Sequence, residues 1–131
     1  FSGIATYEKE VDISQQYLKQ AKQVFIDLGQ VREIAEVYVN DRSAGITWYK
    51  PFRLNITKLL KPGVNSIKVE VANTWANRLA GDAKLPASER ISHSNVVRLP
   101  NAWAIPMKDI PNEQFGLMES GMMGPVRLIT N

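Results

Sequence analysis

The run 64–71, Val-Asn-Ser-Ile-Lys-Val-Glu-Val, alternates with a period of two. That period constrains the fold more than any other feature of the chain. Successive side chains of a strand point to opposite faces, so a stretch of this kind predicts a strand with one face buried and one in water. The pattern recurs. Residues 4–13 set Ala5, Tyr7, Lys9, Val11 and Ile13 against Thr6, Glu8, Glu10 and Asp12, which predicts the first group inside and the second outside. Residues 23–28 bring Val24, Ile26 and Leu28 to one side, and Gly29 closes them with freedom for positive φ. In 33–40, Ala35, Val37 and Val39 oppose Glu36 and Tyr38, and Asn40-Asp41 supplies turn chemistry before 44–48, so a hairpin is predicted.

Between these runs the helical signals are short. Tyr17, Leu18 and Ala21 share one face of a short helix for which Ser14 is an N-cap, although a linker with one turn fits the same residues. Pro51-Phe52 opens an extended run over 53–56, then 57–60 predicts one helical turn closed by Lys61-Pro62-Gly63. From Asp82 to Phe115 periodicity is poor and Pro86, Pro100, Pro106 and Pro111 interrupt it, which predicts loops with one or two short strands, the best at 95–99. A closing strand is predicted at 124–129. Many short strands, and no helix long enough to cross over a parallel sheet, predict an all-β jelly-roll β-sandwich of two antiparallel sheets.

At 131 residues the chain is expected to be a single domain, 1–131. It has no cysteine, so disulfides and thiolate metal sites are excluded. The formal charge of +3 is spread without a dense basic run, which argues against nucleic acid as a partner. No apolar stretch approaches the ~20 residues of a membrane span, and no signal peptide is visible. The start at Phe1, without an initiator Met, is read as that of a piece excised from a longer multidomain chain.

Residues 73–90 crowd Trp75, Asn77, Arg78, Asp82, Glu89 and Arg90 together with Gly81 and Pro86, and are expected to form a long ordered loop leaving a strand. Two uses fit it. Sugar binding needs an aromatic face and paired polar groups. Trp48, Tyr49, Trp75 and Trp103 are candidate platforms, Trp75 first among them, with Asn77, Arg78 and Asp82 as the polar set. Alternatively Asp82 and Glu89 pair with Arg78 and Arg90 as structural ion pairs that hold the loop down, while the tryptophans fill the core or an interdomain contact. Glycoside hydrolysis needs two facing carboxyl groups ~5 to 10 Å apart. Asp82 and Glu89 are the candidates, but arginine pairing is the preferred reading and no catalytic residue is assigned. His93 is the one histidine, which argues against zinc, so no metal or cofactor is assigned. Calcium stays open through Asp82 and backbone carbonyls. Met118, Met122 and Met123 are read as a patch for a neighbouring domain, with core filling as the other reading.

Several motifs carry a resemblance. They are 2–7 (Ser-Gly-Ile-Ala-Thr-Tyr), 28–37, Val39-Asn40 with Gly45 and Trp48, Pro51-Phe52, 56–65 ending in Lys-Pro-Gly-Val-Asn, 73–79 with Gly81-Asp82, Leu85-Pro86, Glu89-Arg90, and 120–126. The chain resembles the galactose-binding-like β-sandwich domains of glycoside hydrolases, particularly the C-terminal domain of family 106 α-L-rhamnosidase-like proteins and, more distantly, the family 2 sugar-binding domain. The resemblance spans nearly the whole chain, apart from 91–114. It implies an accessory domain of a bacterial carbohydrate-degrading enzyme, secreted or periplasmic, with catalysis in another domain of the parent chain. Weak carbohydrate binding is one expected role. A purely structural interdomain module without a ligand is the alternative.

Overall fold

The computed structural model describes residues 2–82, 84–92, 96–97, 105–106 and 117–131. In chain order these form β1 (Ile4–Ile13), α1 (Gln15–Gln20), β2 (Val24–Asp27), β3 (Gln30–Arg32), β4 (Ile34–Val39), β5 (Arg42–Thr47), β6 (Arg53–Asn55) and β7 (Gly63–Ala72), with a 3-10 turn at Thr57–Leu59. Then come α2 (Ala76–Asp82), a 3-10 turn at Ala87–Glu89, β8 (Val96–Val97), β9 (Ile105–Pro106), β10 (Gly121–Gly124) and β11 (Arg127–Thr130). They gather into two units, one of Phe1–Gly3 with Thr74–Glu119 and one of Ile4–Asn73 with Ser120–Asn131.

The second unit is the all-β sandwich. Its larger sheet runs β1-β7-β4-β5, its facing sheet runs β11-β2-β6, and β10 pairs with β3. Every strand pair is antiparallel. The period of two sends Ile67, Val69 and Val71 of β7, Ala35, Val37 and Val39 of β4, and Val24 and Ile26 of β2 into one core with Leu28, Val31, Phe52 and Ile56. Burial of such branched side chains contributes about 1.5–3 kcal/mol each and is the main favourable term. β1 departs from its pattern. Ala5 and Val11 are half-buried and Ile13 buried, but Tyr7 and Lys9, expected inside, are exposed. Among the described residues the strand pairs with β7 alone and so lies at the sheet edge, where the Tyr7 hydroxyl accepts from Met122 N at 3.4 Å.

Local chemistry closes the turns. Asn40 and Asp41 hold φ of 51° and 62°, the left-handed pair a two-residue hairpin turn needs. The Ser14 side chain accepts from Tyr17 N and caps α1. Gly29, at φ +69°, packs where an added Cβ would sit 2.4 Å from the Gly124 carbonyl oxygen. Only glycine fits there.

In the first unit, residues 73–90 are not the loop the composition predicts. Residues 76–82 close α2, whose Leu79 N donates to Trp75 O at 2.9 Å. Ala76, Arg78, Leu79 and Ala80 are good helix formers, and Gly81 falls in the last turn, where its helix penalty costs little. The strand expected at 95–99 is present as β8, paired with β9, and its other positions lie outside the described residues.

Candidate functional site

Around α2 the polar candidates are engaged with their own unit. The Asn77 amide donates to Met118 O at 2.9 Å and accepts from Met118 N at 2.7 Å. Arg78 Nε lies 3.6 Å from Asp82 Oδ1, and the Asp82 side chain is 4% exposed. Asp82 Oδ2 accepts from Ile91 N at 3.1 Å and Ser92 N at 2.6 Å. The Ser92 hydroxyl beside it, then the Ser92 N–H, the Arg78 guanidinium and the Ile91 N–H, hold its carboxyl below the usual carboxylate range. Of the two Ser92 groups the N–H makes the well-formed bond, since Ser92 Oγ is buried without a partner of hydrogen-bonding geometry. These donors compensate the charge of the Asp82 carboxylate. Among the described residues no group of three or more His, Cys, Asp or Glu side chains is placed to hold a metal ion.

The other candidate residues have different surroundings. Trp75 is 62% exposed. Glu89 is exposed, its N–H donating to Pro86 O at 2.9 Å, while Arg90 Nε donates to Leu85 O at 2.9 Å. Trp103 and His93 lie outside the described residues. Met118 and Met123 are exposed, whereas Met122 packs against the sandwich core.

A different constellation forms on the sandwich. Alternation along β5 turns Thr47 inward, 5% exposed, and so turns Trp48 outward as the strand ends. Trp48 is 67% exposed and Tyr49 63%, with ring centroids 5.2 Å apart in an edge-to-face arrangement. The Lys50-Pro51-Phe52 return then drops Phe52 into the core, where its carbonyl accepts from Leu28 N at 2.9 Å. That return brings the end of β5 beside β3. Between them lies a cleft of about 190 Å³ lined by Gln30, Val31, Arg32, Glu33, Trp48, Lys50 and Phe52. Val31 and Phe52 are buried, while Arg32, Glu33, Trp48 and Lys50 are exposed around them.

Of these, sequence reasoning selected Trp48 and missed Gln30, Arg32, Glu33 and Lys50. Alternation in the hairpin could have shown that Trp48 points outward. Nothing in the spacing shows that β3 lies beside it.

A second cleft, about 240 Å³, involves edge strands β1 and β11 and has Ile26, Ile67, Val69 and Leu128 in its lining. Tyr7, Glu8, Lys9 and Arg127 also line it.

Residues 4–105 match the family described as glycosyl hydrolase 2 galactose-binding domain-like. The chain belongs to that family. It is similar to a rhamnosidase from Novosphingobium sp. PP1Y, with 37% identity and a TM-score of 0.71 over 98% of this chain and 11% of that one. It is also 36% identical, over 98% of its length, to a provisionally named beta-glucuronidase of Formosa agariphila, of which it covers 12%. The beta-D-mannosidase of Dictyoglomus thermophilum, 17% identical with a TM-score of 0.50 over 71% of this chain, shares the fold alone. The chain thus spans about an eighth of the length of these glycoside hydrolase relatives. This galactose-binding-like domain is one that occurs within glycoside hydrolases, and the β-sandwich expected from the sequence is the fold observed.

Proposed function

We propose that the chain is a non-catalytic accessory domain of a glycoside hydrolase and holds a saccharide weakly against Trp48, beside a catalytic domain of the same polypeptide. One observation carries the reading. An exposed indole face stands beside the polar, exposed groups of Arg32, Glu33 and Lys50. A pyranose ring presents an apolar face for such an aromatic and pairs of hydroxyls for such polar groups. Residues 73–90 support contact less well, because Asn77 and Asp82 already bond within their own unit. Glycoside hydrolysis needs two carboxyl groups, and the lining of the Trp48 cleft supplies one, Glu33.

Amide and indole NMR spectra of the chain, titrated with rhamnose, galactose, galacturonate and plant-polysaccharide oligomers with and without calcium, test the proposal. Shifts at the Trp48 indole and the neighbouring amides of 30–33, lost in Trp48→Ala and kept in Trp75→Ala, are expected. A folded chain that shifts with no sugar at millimolar concentration refutes binding and returns the domain to a structural role.

A further inference from the structure

The residues before β2 and the turn after β6 form a further cleft of about 410 Å³, lined by Lys22, Gln23, Asn55, Thr57 and Lys58. We infer that it binds a tetrahedral oxyanion, a sulfate or phosphate group, independently of any saccharide at Trp48. The lining holds two ammonium groups and no carboxylate. Neither Lys22 nor Lys58 makes an ion pair among the described residues. Lys22 is anchored by its backbone, whose N–H donates to Asn131 O at 3.3 Å, and both lysines are exposed. Two uncompensated cations at one cleft repel each other, and an anion between them relieves that repulsion.

The two walls are tied together, and the oxygens of Asn55 and Thr57 are already used. Val24 N donates to Thr57 Oγ1 at 2.8 Å, and Ile56 N donates to Val24 O at 2.9 Å, which fixes the turn against β2. Asn55 Oδ1 accepts from Thr57 N at 3.0 Å and from the Thr57 hydroxyl at 2.6 Å, so its Nδ2 is the side of that amide left for a ligand. What the cleft offers is therefore mainly donors. An ammonium bonds an oxyanion about twice as strongly as a neutral donor bonds a neutral acceptor. Donors from both walls suit a phosphate or sulfate, with three or more acceptor oxygens, better than a carboxylate with two. The volume falls within the ~300–1,000 Å³ of small-molecule sites, which leaves room for part of a carrier.

The test titrates the chain with sodium sulfate, sodium phosphate, sodium acetate and sodium chloride at matched ionic strength, so that screening is the same in each arm. Saturable amide shifts at 22–23 and 55–58 are expected with sulfate and phosphate and not with chloride. Lys22→Gln and Lys58→Gln should each weaken the binding about tenfold, the loss of one hydrogen bond to a charged group, and Lys58→Arg should retain it. Both lysines are exposed, so neither substitution strands a buried group, and Trp48→Ala should leave these shifts unchanged. Glucose 6-sulfate and glucose 6-phosphate separate the sources. Tighter binding of these esters than of the inorganic ions assigns the anion to a saccharide, and equal binding assigns it to the free ion. Shifts that stay linear with concentration, or that chloride reproduces, overturn the site. Full affinity in both Lys→Gln variants also overturns it, and acetate binding as tightly as sulfate overturns the tetrahedral class.

Discussion

The Asn40 side-chain amide donates to Asn65 Oδ1 at 2.8 Å and so joins the hairpin turn of β4 and β5 to the start of β7. Asn65 has no solvent exposure, yet each of its polar atoms is satisfied. Its Nδ2 donates to Lys61 O at 2.7 Å and Gly63 O at 2.8 Å, and its Oδ1 also accepts from Lys61 N at 2.9 Å. Asn40 in turn donates to Leu59 O at 2.9 Å and accepts from Ser66 N at 3.2 Å. Asn65→Ala strands several buried groups at once, and the expected loss of unfolding free energy is about 3 kcal/mol or more in urea titrations. A loss below about 1 kcal/mol would show that water replaces the amide freely. A double-mutant cycle with Asn40→Ala should return a coupling of about 1 kcal/mol.

Gly29 and Gly63 separate two costs that glycine substitution usually mixes. Both have positive φ, +69° and +90°, but a Cβ at Gly63 meets nothing within 4 Å whereas at Gly29 it meets Gly124 backbone at 2.4 Å. Gly63→Ala should cost about 1–2 kcal/mol of backbone strain. Gly29→Ala should cost distinctly more by the same thermal or urea measurement, and equal losses would mean that the Gly124 strand moves aside.

Asp27 makes the sandwich acid-sensitive. Arg53 donates to Asp27 Oδ2 from Nη2 at 2.7 Å and Nε at 3.2 Å, and Gly29 N donates to Oδ1 at 2.8 Å. These bonds, Arg53 first, hold its carboxyl below the usual range. A depressed folded value means that the contribution is complete above the unfolded value, about 3.9, and is lost as pH falls through the folded one. Stability curves of the native chain and Asp27→Asn should therefore differ above pH ~4 and converge as the pH falls below it. Parallel curves across that window contradict the linkage. The pair is partly exposed, so the separation is small and shrinks with salt.

Trp48 and Phe52 lie four residues apart and should respond oppositely. Phe52 is 6% exposed and belongs to the core cluster, so Phe52→Ala is expected to cost about 3–5 kcal/mol. Trp48→Ala removes an exposed ring and should change stability by no more than about 0.5 kcal/mol. A large loss for Trp48→Ala in equilibrium unfolding would assign the ring to the fold instead of the cleft.

Asn77 should control order at Met118. Its two bonds to the Met118 backbone are exposed, and losing them in Asn77→Ala should raise Met118 amide exchange about tenfold without shifting the global midpoint. Unchanged exchange at Met118 would mean that other contacts fix that segment.

Legibility in the sequence follows the range of the interaction. The alternations of 23–28, 33–40 and 64–71, the Asn40-Asp41 turn and the Ser14 cap depend on neighbours a few residues away, and each is present as read. Residues 76–82 misled because Gly81 and the surrounding polar groups suggested bends, while the helix needs only one good turn and a glycine in its last one. Asp82 was legible as the partner of a neighbouring arginine, but the helical turn that sets Arg78 four residues before it was not, and the Ile91 and Ser92 amides that also bind it come from beyond the helix.

By itself the sequence determined the strands within 23–28, 33–40 and 64–71, their inward faces and the all-β class, because side-chain periodicity and turn stereochemistry are properties of adjacent residues. Tertiary structure alone decided that β1 is an edge strand with Tyr7 and Lys9 exposed, that Asn65 is buried with four bonds, and that β3 brings Gln30, Arg32 and Glu33 to Trp48 and Lys50. Those outcomes depend on which distant segments become neighbours, and that is set by the packing of two sheets over a shared core.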